Sequence, residues 1–179
     1  MSCSSIERDA LVEIVLDAGP LIYLAKLDAI EVVAHAGMAA VVPPTVFAEV
    51  ARPELAFRHP EVAIILGSRD RHQLAVVDLT EDERRLAADL ERQMGGLHPG
   101  ELEVLALGRS RSWPVCVHER QAARLARALG AKTIDLVELL FAGTADTGLL
   151  EDRVRAFARL TNLTMNDLDA LLRLVDERR

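Results

Sequence analysis

The segment Ile14-Val15-Leu16-Asp17-Ala18-Gly19-Pro20 constrains the fold of this chain more than any other stretch. Its three apolar residues follow one another without alternation, which is typical of a strand buried on both faces of a parallel sheet. Ala18-Gly19 predicts a tight turn, and Pro20 suits the first position of a helix. The segment therefore predicts a strand-to-helix unit of the kind from which α/β proteins are built.

Asp17 stands where this strand becomes a helix, and two interpretations fit it. The side chain can cap the helix by accepting a backbone hydrogen bond. Alternatively, it can serve a site at the carboxyl edge of the sheet, where α/β proteins bind ligands. A role in packing is disfavoured, because burying an unpaired charge is costly. This segment alone leaves both interpretations open.

Strand and helix patterns alternate along the rest of the chain. The predicted strands cover residues 13–17, 39–42, 73–77, 115–117 and 132–134. The predicted helices cover residues 20–26, 29–36, 45–51, 61–66, 81–94, 99–107, 120–129, 136–142, 149–160 and 165–175. This order predicts a three-layer α/β/α sandwich with a mostly parallel central sheet. We expect a domain over residues 1–145, and a C-terminal helical hairpin over 146–179 that packs on the domain or on a partner.

Four polar residues are predicted to cap helices, each standing just before an apolar helical pattern. Asp28 precedes residues 29–36, Thr80 forms a capping box with Glu83, and Asp135 and Thr164 precede the last helices.

Composition limits the class of protein. No run of 18 apolar residues exists, so no membrane span is expected. Cys3 and Cys116 are too few for a disulfide framework, which favours a reducing cytoplasm, and Cys116 is expected to be an inert core residue. A formal net charge of −7 argues against a surface that binds nucleic acid non-specifically, although a local basic groove remains compatible with it.

Four acidic residues occupy related positions in the predicted fold: Asp17, Glu49, Glu101 and Glu119. Asp17 and Glu119 follow parallel strands and should share one edge, from which the helix of Glu49 starts. Each has an ordinary explanation, since Asp17 and Glu119 can be caps, Glu101 can favour a helix N-terminus and Glu49 can be a surface charge.

Together, these carboxylates predict a cation site. Two carboxylates about 4 Å apart repel by roughly 4 kcal/mol at an effective dielectric constant near 20. A hard divalent ion such as Mg²⁺ prefers oxygen ligands and takes one or two carboxylates directly. Such an ion can activate water and stabilise charge at a phosphodiester.

Four segments of the chain resemble the PIN-domain family over about residues 13–145. They are Leu16-Asp17-Ala18-Gly19-Pro20-Leu21-Ile22, Pro43-Pro44-Thr45-Val46-Phe47-Ala48-Glu49-Val50, His98-Pro99-Gly100-Glu101-Leu102-Glu103 and Val117-His118-Glu119-Arg120-Gln121-Ala122-Ala123-Arg124. The resemblance implies an α/β/α sandwich, Mg²⁺ or Mn²⁺, and metal-dependent cleavage of RNA. Many relatives are VapC-type toxins held by an antitoxin, and homodimers are common among them.

By position, Asp17, Glu49 and Glu101 match the first three acidic residues of that family, and Glu119 takes the fourth position. The resemblance therefore implies four catalytic carboxylates, with Asp17, Glu101 and Glu119 as metal ligands. The fourth segment departs from the family, which usually has an Asp-Asp pair where this chain has His118-Glu119-Arg120. A longer side chain displaces the carboxylate by over an ångström, and misplacement on that scale can cost about 100-fold in rate.

Residues near these carboxylates have alternative interpretations. Glu103 lies two positions from Glu101 and should point elsewhere on the helix, towards an outer shell or the surface. His118 can be a ligand, a general base or a structural residue. Asp135 is a spare carboxylate if it does not cap a helix. Three arginines, Arg120, Arg124 and Arg127, either contact RNA phosphates or form a solvated helix face.

The leading prediction is a Mg²⁺- or Mn²⁺-dependent ribonuclease, a candidate toxin of a toxin–antitoxin pair, acting as a homodimer. The alternative is a degenerate module that binds nucleic acid or protein without cutting it. A phosphotransfer or phosphatase protein that uses Asp17 is weakly supported, because neither a second Asp two residues later nor a Gly-rich phosphate loop follows the strand.

Overall fold

The computed structural model describes residues 11–179, and within that range it contains four strands and ten α-helices. The strands are β1 (Val12–Leu16), β2 (Met38–Val42), β3 (Leu74–Val76) and β4 (Val115–Cys116). The helices are α1 (Ala18–Lys26), α2 (Val32–His35), α3 (Pro44–Val50), α4 (Pro60–Asp70), α5 (Glu81–Met94), α6 (Pro99–Arg111), α7 (Arg120–Ala128), α8 (Leu136–Gly143), α9 (Thr147–Thr161) and α10 (Met165–Asp176).

The four strands form one parallel sheet in the order β3-β2-β1-β4. Consecutive side chains of a strand point to opposite faces of the sheet. Ile14, Val15 and Leu16 on β1 are all fully buried, so the helices cover both faces. The predicted three-layer α/β/α sandwich with a parallel central sheet is confirmed.

The C-terminal helices α9 and α10 form the predicted hairpin and share the main core. Leu150, Val154, Phe157 and Val175 belong to the same buried cluster as the sheet. Arg153 on α9 is also buried, and its guanidinium donates hydrogen bonds to Thr144, to the Asp28 carbonyl and to Glu31. The hairpin packs on the domain in this structure, while a domain boundary at residue 145 stays a prediction.

The prediction that Asp28 caps a helix over residues 29–36 is wrong. Asp28 has a left-handed backbone (φ 47°) and its N–H donates to the Ala25 carbonyl, so it belongs to the turn that ends α1. The second helix, α2, is only four residues long and has Glu31 at its N-cap. Likewise, α1 begins at Ala18 instead of Pro20, which places the proline within its first turn.

Two further elements differ in extent. The prediction of a fifth strand over residues 132–134 is wrong, because these residues make only an isolated bridge between Thr133 and Val115. The predicted helix at 61–66 continues to Asp70, because Ile65 and Ser68 are buried against the rest of the fold. The caps at Thr80, Asp135 and Thr164 are confirmed.

Cys116 is buried in β4, as predicted, whereas Cys3 lies outside the described residues. Burial raises the pKa of the Cys116 thiol above its ordinary range, which disfavours the reactive thiolate. No helix among residues 11–179 is both long and apolar enough to cross a membrane.

Candidate functional site

The strand order places a crevice between β1 and β4. From β1, the chain adds β2 and then β3 on one side of the sheet, and it later adds β4 on the other side of β1. Crevices at such a reversal, at the carboxyl ends of the strands, are where open α/β sheets bind ligands. The two strand ends are joined here, since the Asp17 N–H donates to the Cys116 carbonyl at 3.0 Å.

A cavity of about 190 Å³ lies at this crevice, and the four predicted carboxylates line it. The lining residues are Asp17, Ala18, Gly19, Glu49, His98, Glu101, His118 and Glu119. Four segments that are separate in sequence therefore converge on one pocket. Their placement agrees with a shared site, while their role as metal ligands stays a prediction.

Asp17 is the buried centre of the cavity. Its side chain makes no capping hydrogen bond to α1, so the capping interpretation is wrong. The pKa of Asp17 is raised from 3.8 to about 6, chiefly by burial and further by the charges of Glu101, Glu49 and Glu119, while the adjacent backbone N–H of Ala18 lowers it. The fold thus holds this carboxylate in a place that disfavours its charge.

Glu101 is the second buried carboxylate of the site, at 6% exposure. It lies in the first turn of α6, and its Oε2 accepts a hydrogen bond from the His98 backbone N–H at 2.8 Å. That bond fixes the side chain towards the start of the helix. Of the two Glu101 carboxylate oxygens, Oε2 is therefore held by a hydrogen bond within the protein.

Glu49 and Glu119 form the exposed rim of the cavity. Glu49 projects from α3. Glu119 precedes α7 at the N-cap position, yet its side chain makes no capping bond, so the cap interpretation is wrong for this residue as well. The site therefore has two buried carboxylates and two that face solvent.

The donor set suits a hard divalent cation by its chemistry. All four carboxylates offer oxygen ligands, and none of the described residues that line the cavity is Lys or Arg. Within residues 11–179, no three His, Cys, Asp or Glu side chains stand close enough to form a ready-made metal site. Mg²⁺ tolerates such spacing, because it keeps several waters and needs only one or two carboxylates directly.

Two histidines also line the cavity. His118 packs edge-on against Tyr23, with ring centroids 5.1 Å apart, and Gly19 lies so close that a Cβ there would be 3.2 Å from the His118 Cβ. His98 was not singled out from the sequence. Its position directly before the Pro99-Gly100-Glu101 helix start was the available signal.

The other predicted residues lie elsewhere. Asp135 caps α8 by accepting from the Glu138 N–H at 2.8 Å, so it is a cap and does not line the cavity. Glu103 accepts hydrogen bonds from Thr45 on α3.

The three arginines predicted as RNA contacts differ in their surroundings. Arg120 and Arg124 line a shallow cavity of about 520 Å³ along α7, which starts directly after Glu119. Arg127 instead donates to the Thr133 hydroxyl, and Arg111 pairs with Glu83. Within residues 11–179, the side chains of Arg120 and Arg124 have no hydrogen-bond or ion-pair partner, and both residues lie on the helix that leads away from the carboxylates.

Comparison with known proteins gives one family. A family described as a PIN domain matches residues 13–173, which includes the sheet, the carboxylate cavity, α9 and most of α10. Comparison with curated proteins gives no match.

Proposed function

Because this chain belongs to the PIN-domain family, whose members are generally nucleases, we propose that it is a divalent-metal-dependent endoribonuclease. The observation that carries the proposal is the cavity at the end of β1 and β4, where buried Asp17 and Glu101 face exposed Glu49 and Glu119. The raised pKa of Asp17 is typical of functional sites, where burial and like charges are combined.

In this proposal, Asp17, Glu101 and Glu119 hold Mg²⁺ or Mn²⁺, directly or through water, and Glu49 completes the acidic rim. A bound divalent ion would supply a stabilising charge at the phosphodiester and lower the pKa of a nearby water. The residues of the chain hold the carboxylate groups in position. Burial fixes the Asp17 and Glu101 carboxylates at the cavity floor, while Glu49 and Glu119 meet the substrate from the solvent side.

Arg120 and Arg124 are proposed to bind RNA phosphates beside the cavity, with Arg127 as a further contact. Their charges lie on the exposed side of α7, in a protein whose formal net charge is −7. Phosphate contacts of this kind supply affinity without sequence readout. We therefore expect a strand of RNA to follow α7 towards Glu119.

The toxin role, an antitoxin partner, a homodimer and a cytoplasmic location are further parts of the proposal. Leu149, Leu160, Met165 and Leu174 on α9 and α10 are exposed apolar residues of the kind that protein interfaces use.

A second candidate, a PIN-like module that binds without cutting, is favoured by two observations. His118-Glu119-Arg120 replaces the acidic pair of the family, and no three potential ligands among the described residues stand close enough to form a ready-made metal site. The two candidates differ in whether the chain binds Mn²⁺ through Asp17.

The experiment compares wild type with Asp17→Asn on a panel of RNAs in Mg²⁺ or Mn²⁺. We expect Asp17→Asn to lose metal-dependent cleavage with its fold intact, because it removes the central carboxylate. Asp135→Asn is the matched control, since Asp135 caps α8 outside the cavity, and it should cleave like wild type. Equal cleavage by wild type and Asp17→Asn would refute the catalytic proposal. Absence of Asp17-dependent Mn²⁺ binding by calorimetry would favour the binding module.

A further inference from the structure

The first turn of the helix that carries Glu49 donates hydrogen bonds to another helix. Pro43 stands at the N-cap of α3 and offers no side-chain acceptor. Glu103 on α6 takes that role: its Oε1 accepts from the Thr45 hydroxyl at 2.7 Å, and its Oε2 accepts from the Thr45 backbone N–H at 3.3 Å. Both oxygens of one carboxylate thus bind a single residue in the first turn of α3.

This contact lies on the same side of α3 as Glu49. Thr45 and Glu49 are four residues apart, and residues at that spacing are neighbours on one helix face. On α6, Glu103 is three residues from Gly100, which also faces α3. A Cβ built on Gly100 would lie 2.9 Å from the Val46 Cγ2 and 3.8 Å from the Glu49 Oε2. The absent side chain at Gly100 therefore allows the close helix contact that brings Glu49 beside the start of α6.

We propose that Glu103 and Thr45 form a positioning clamp that sets how far Glu49 reaches towards Asp17 and Glu101. Neither clamp residue lines the carboxylate cavity, so the clamp acts through the placement of α3. The proposal rests on the proposed function, since it requires that the cavity bind a divalent ion. It explains why a second glutamate follows Glu101 by two residues: the first faces the cavity, and the second holds the neighbouring helix.

The expected effect follows from the short length of α3. Two of its seven residues, Val46 and Val50, are buried, so with little else to anchor its first turn, loss of the clamp should let Glu49 shift. From the rim of the cavity, Glu49 would meet the ion through one of its bound waters. Removing an outer partner that orients such a metal-binding residue lowers metal affinity or activity by about 10–100-fold. The effect should fall on metal binding and turnover more than on RNA affinity, because Arg120 and Arg124 lie on α7.

The test uses three clamp variants of the full chain. Thr45→Val removes the hydroxyl donor with little change of shape, whereas Thr45→Ser keeps it. Glu103→Gln leaves only one oxygen for the two donors of Thr45. Glu83→Gln is the matched control, because Glu83 likewise joins another helix to α6, through Arg111, but that helix, α5, contributes no residue to the cavity.

Mn²⁺ affinity is measured by calorimetry, with Asp17→Asn defining the background, and RNA cleavage gives kcat and KM. We expect Thr45→Val and Glu103→Gln to weaken Mn²⁺ binding about 10–100-fold and to lower kcat with KM little changed. Thr45→Ser should behave like wild type, and Glu83→Gln should keep wild-type Mn²⁺ affinity.

Wild-type Mn²⁺ affinity in Thr45→Val and Glu103→Gln would overturn the clamp while leaving the proposed function standing. An equal loss in Glu83→Gln would also overturn it, because the effect would then reflect general stability. If wild type itself shows no Asp17-dependent Mn²⁺ binding, the proposed function fails and the clamp fails with it.

Discussion

Asp17 links the pH dependence of stability to the proposed site. Its pKa is 3.8 ordinarily and about 6 in the folded chain, chiefly because the carboxylate is buried. The favourable contribution of the protonated form is fully present below pH 3.8 and is lost as the pH rises through 6. At neutral pH without metal, the ionised side chain therefore opposes folding. This difference in the pKa of Asp17 corresponds to roughly 3 kcal/mol in the free energy of unfolding.

We predict that Asp17→Asn raises the free energy of unfolding of the metal-free protein by about 2–3 kcal/mol at pH 8 and by little at pH 4. The neutral amide removes the cost of a buried charge. Urea denaturation at both pH values checks this. Added Mn²⁺ should stabilise wild type and not the variant, since only a bound ligand shifts the folding equilibrium. A variant no more stable than wild type at pH 8 would contradict the prediction.

For individual residues, the sequence predicts some of the site and misses other parts of it. Asp17 was identified because a carboxylate that ends an apolar strand is poorly suited to packing. The involvement of His98 and the contact between Glu103 and Thr45 depend on how α6 meets α3, across 58 residues of sequence in the second case. Local spacing gives no information about such contacts.

Among the elements, α5 and α6 are joined by a partly buried ion pair. The Arg111 Nε and Nη2 donate to the Glu83 Oε1 and Oε2 at 2.7 and 2.8 Å. This bidentate bond holds the pKa of Glu83 at about 2, against the opposing effect of burial. Because the folded pKa is lowered, the resulting stability is present above pH 4.5 and is lost as the pH falls through 2.

We predict that Glu83→Gln lowers the free energy of unfolding by about 1–3 kcal/mol at pH 7, and that the difference shrinks below pH 4.5. The change removes the negative charge of a buried carboxylate that accepts from the partly exposed guanidinium of Arg111. Glu81→Gln, in the same helical turn, is the control, because Glu81 pairs with Arg85 on the surface, where ion pairs contribute little. Chemical denaturation of both variants measures the effect, and equal losses would argue against a special role for Glu83.

Most element boundaries followed local rules, and the exceptions have tertiary causes. Thr80, Asp135 and Thr164 cap helices as their patterns indicate. The extension of α4 to Asp70 depends on the burial of Ile65, which a weak local pattern does not reveal. Residues 132–134 have the composition of a strand, but only Thr133 reaches the sheet as a bridge.

For the molecule as a whole, the C-terminal hairpin contributes to the main core. Leu150, Val154, Phe157 and Val175 are buried with the sheet residues. Each buried side chain of this kind contributes about 1.5–3 kcal/mol, and small domains have a total stability of only about 5–15 kcal/mol. The family match also continues to residue 173.

We predict that a chain ending at residue 145 loses its cooperative thermal transition, because it exposes the surface that α9 and α10 cover. A chain lacking only residues 177–179, all exposed, should melt close to the full chain. Circular dichroism on heating measures both. A cooperative transition in the chain ending at 145 would show instead that the hairpin is separable, in agreement with the predicted domain boundary.

The sequence by itself determined the fold class, the carboxylate that ends β1 and three more acidic candidates, because buried strands and helix starts follow local patterns. Only the tertiary structure decided that Asp17 does not cap α1 and that Glu103 holds α3. These outcomes depend on which side chains meet at the edge of the sheet. The distances between α3, α6 and β4 are set by packing, and no local sequence pattern specifies them.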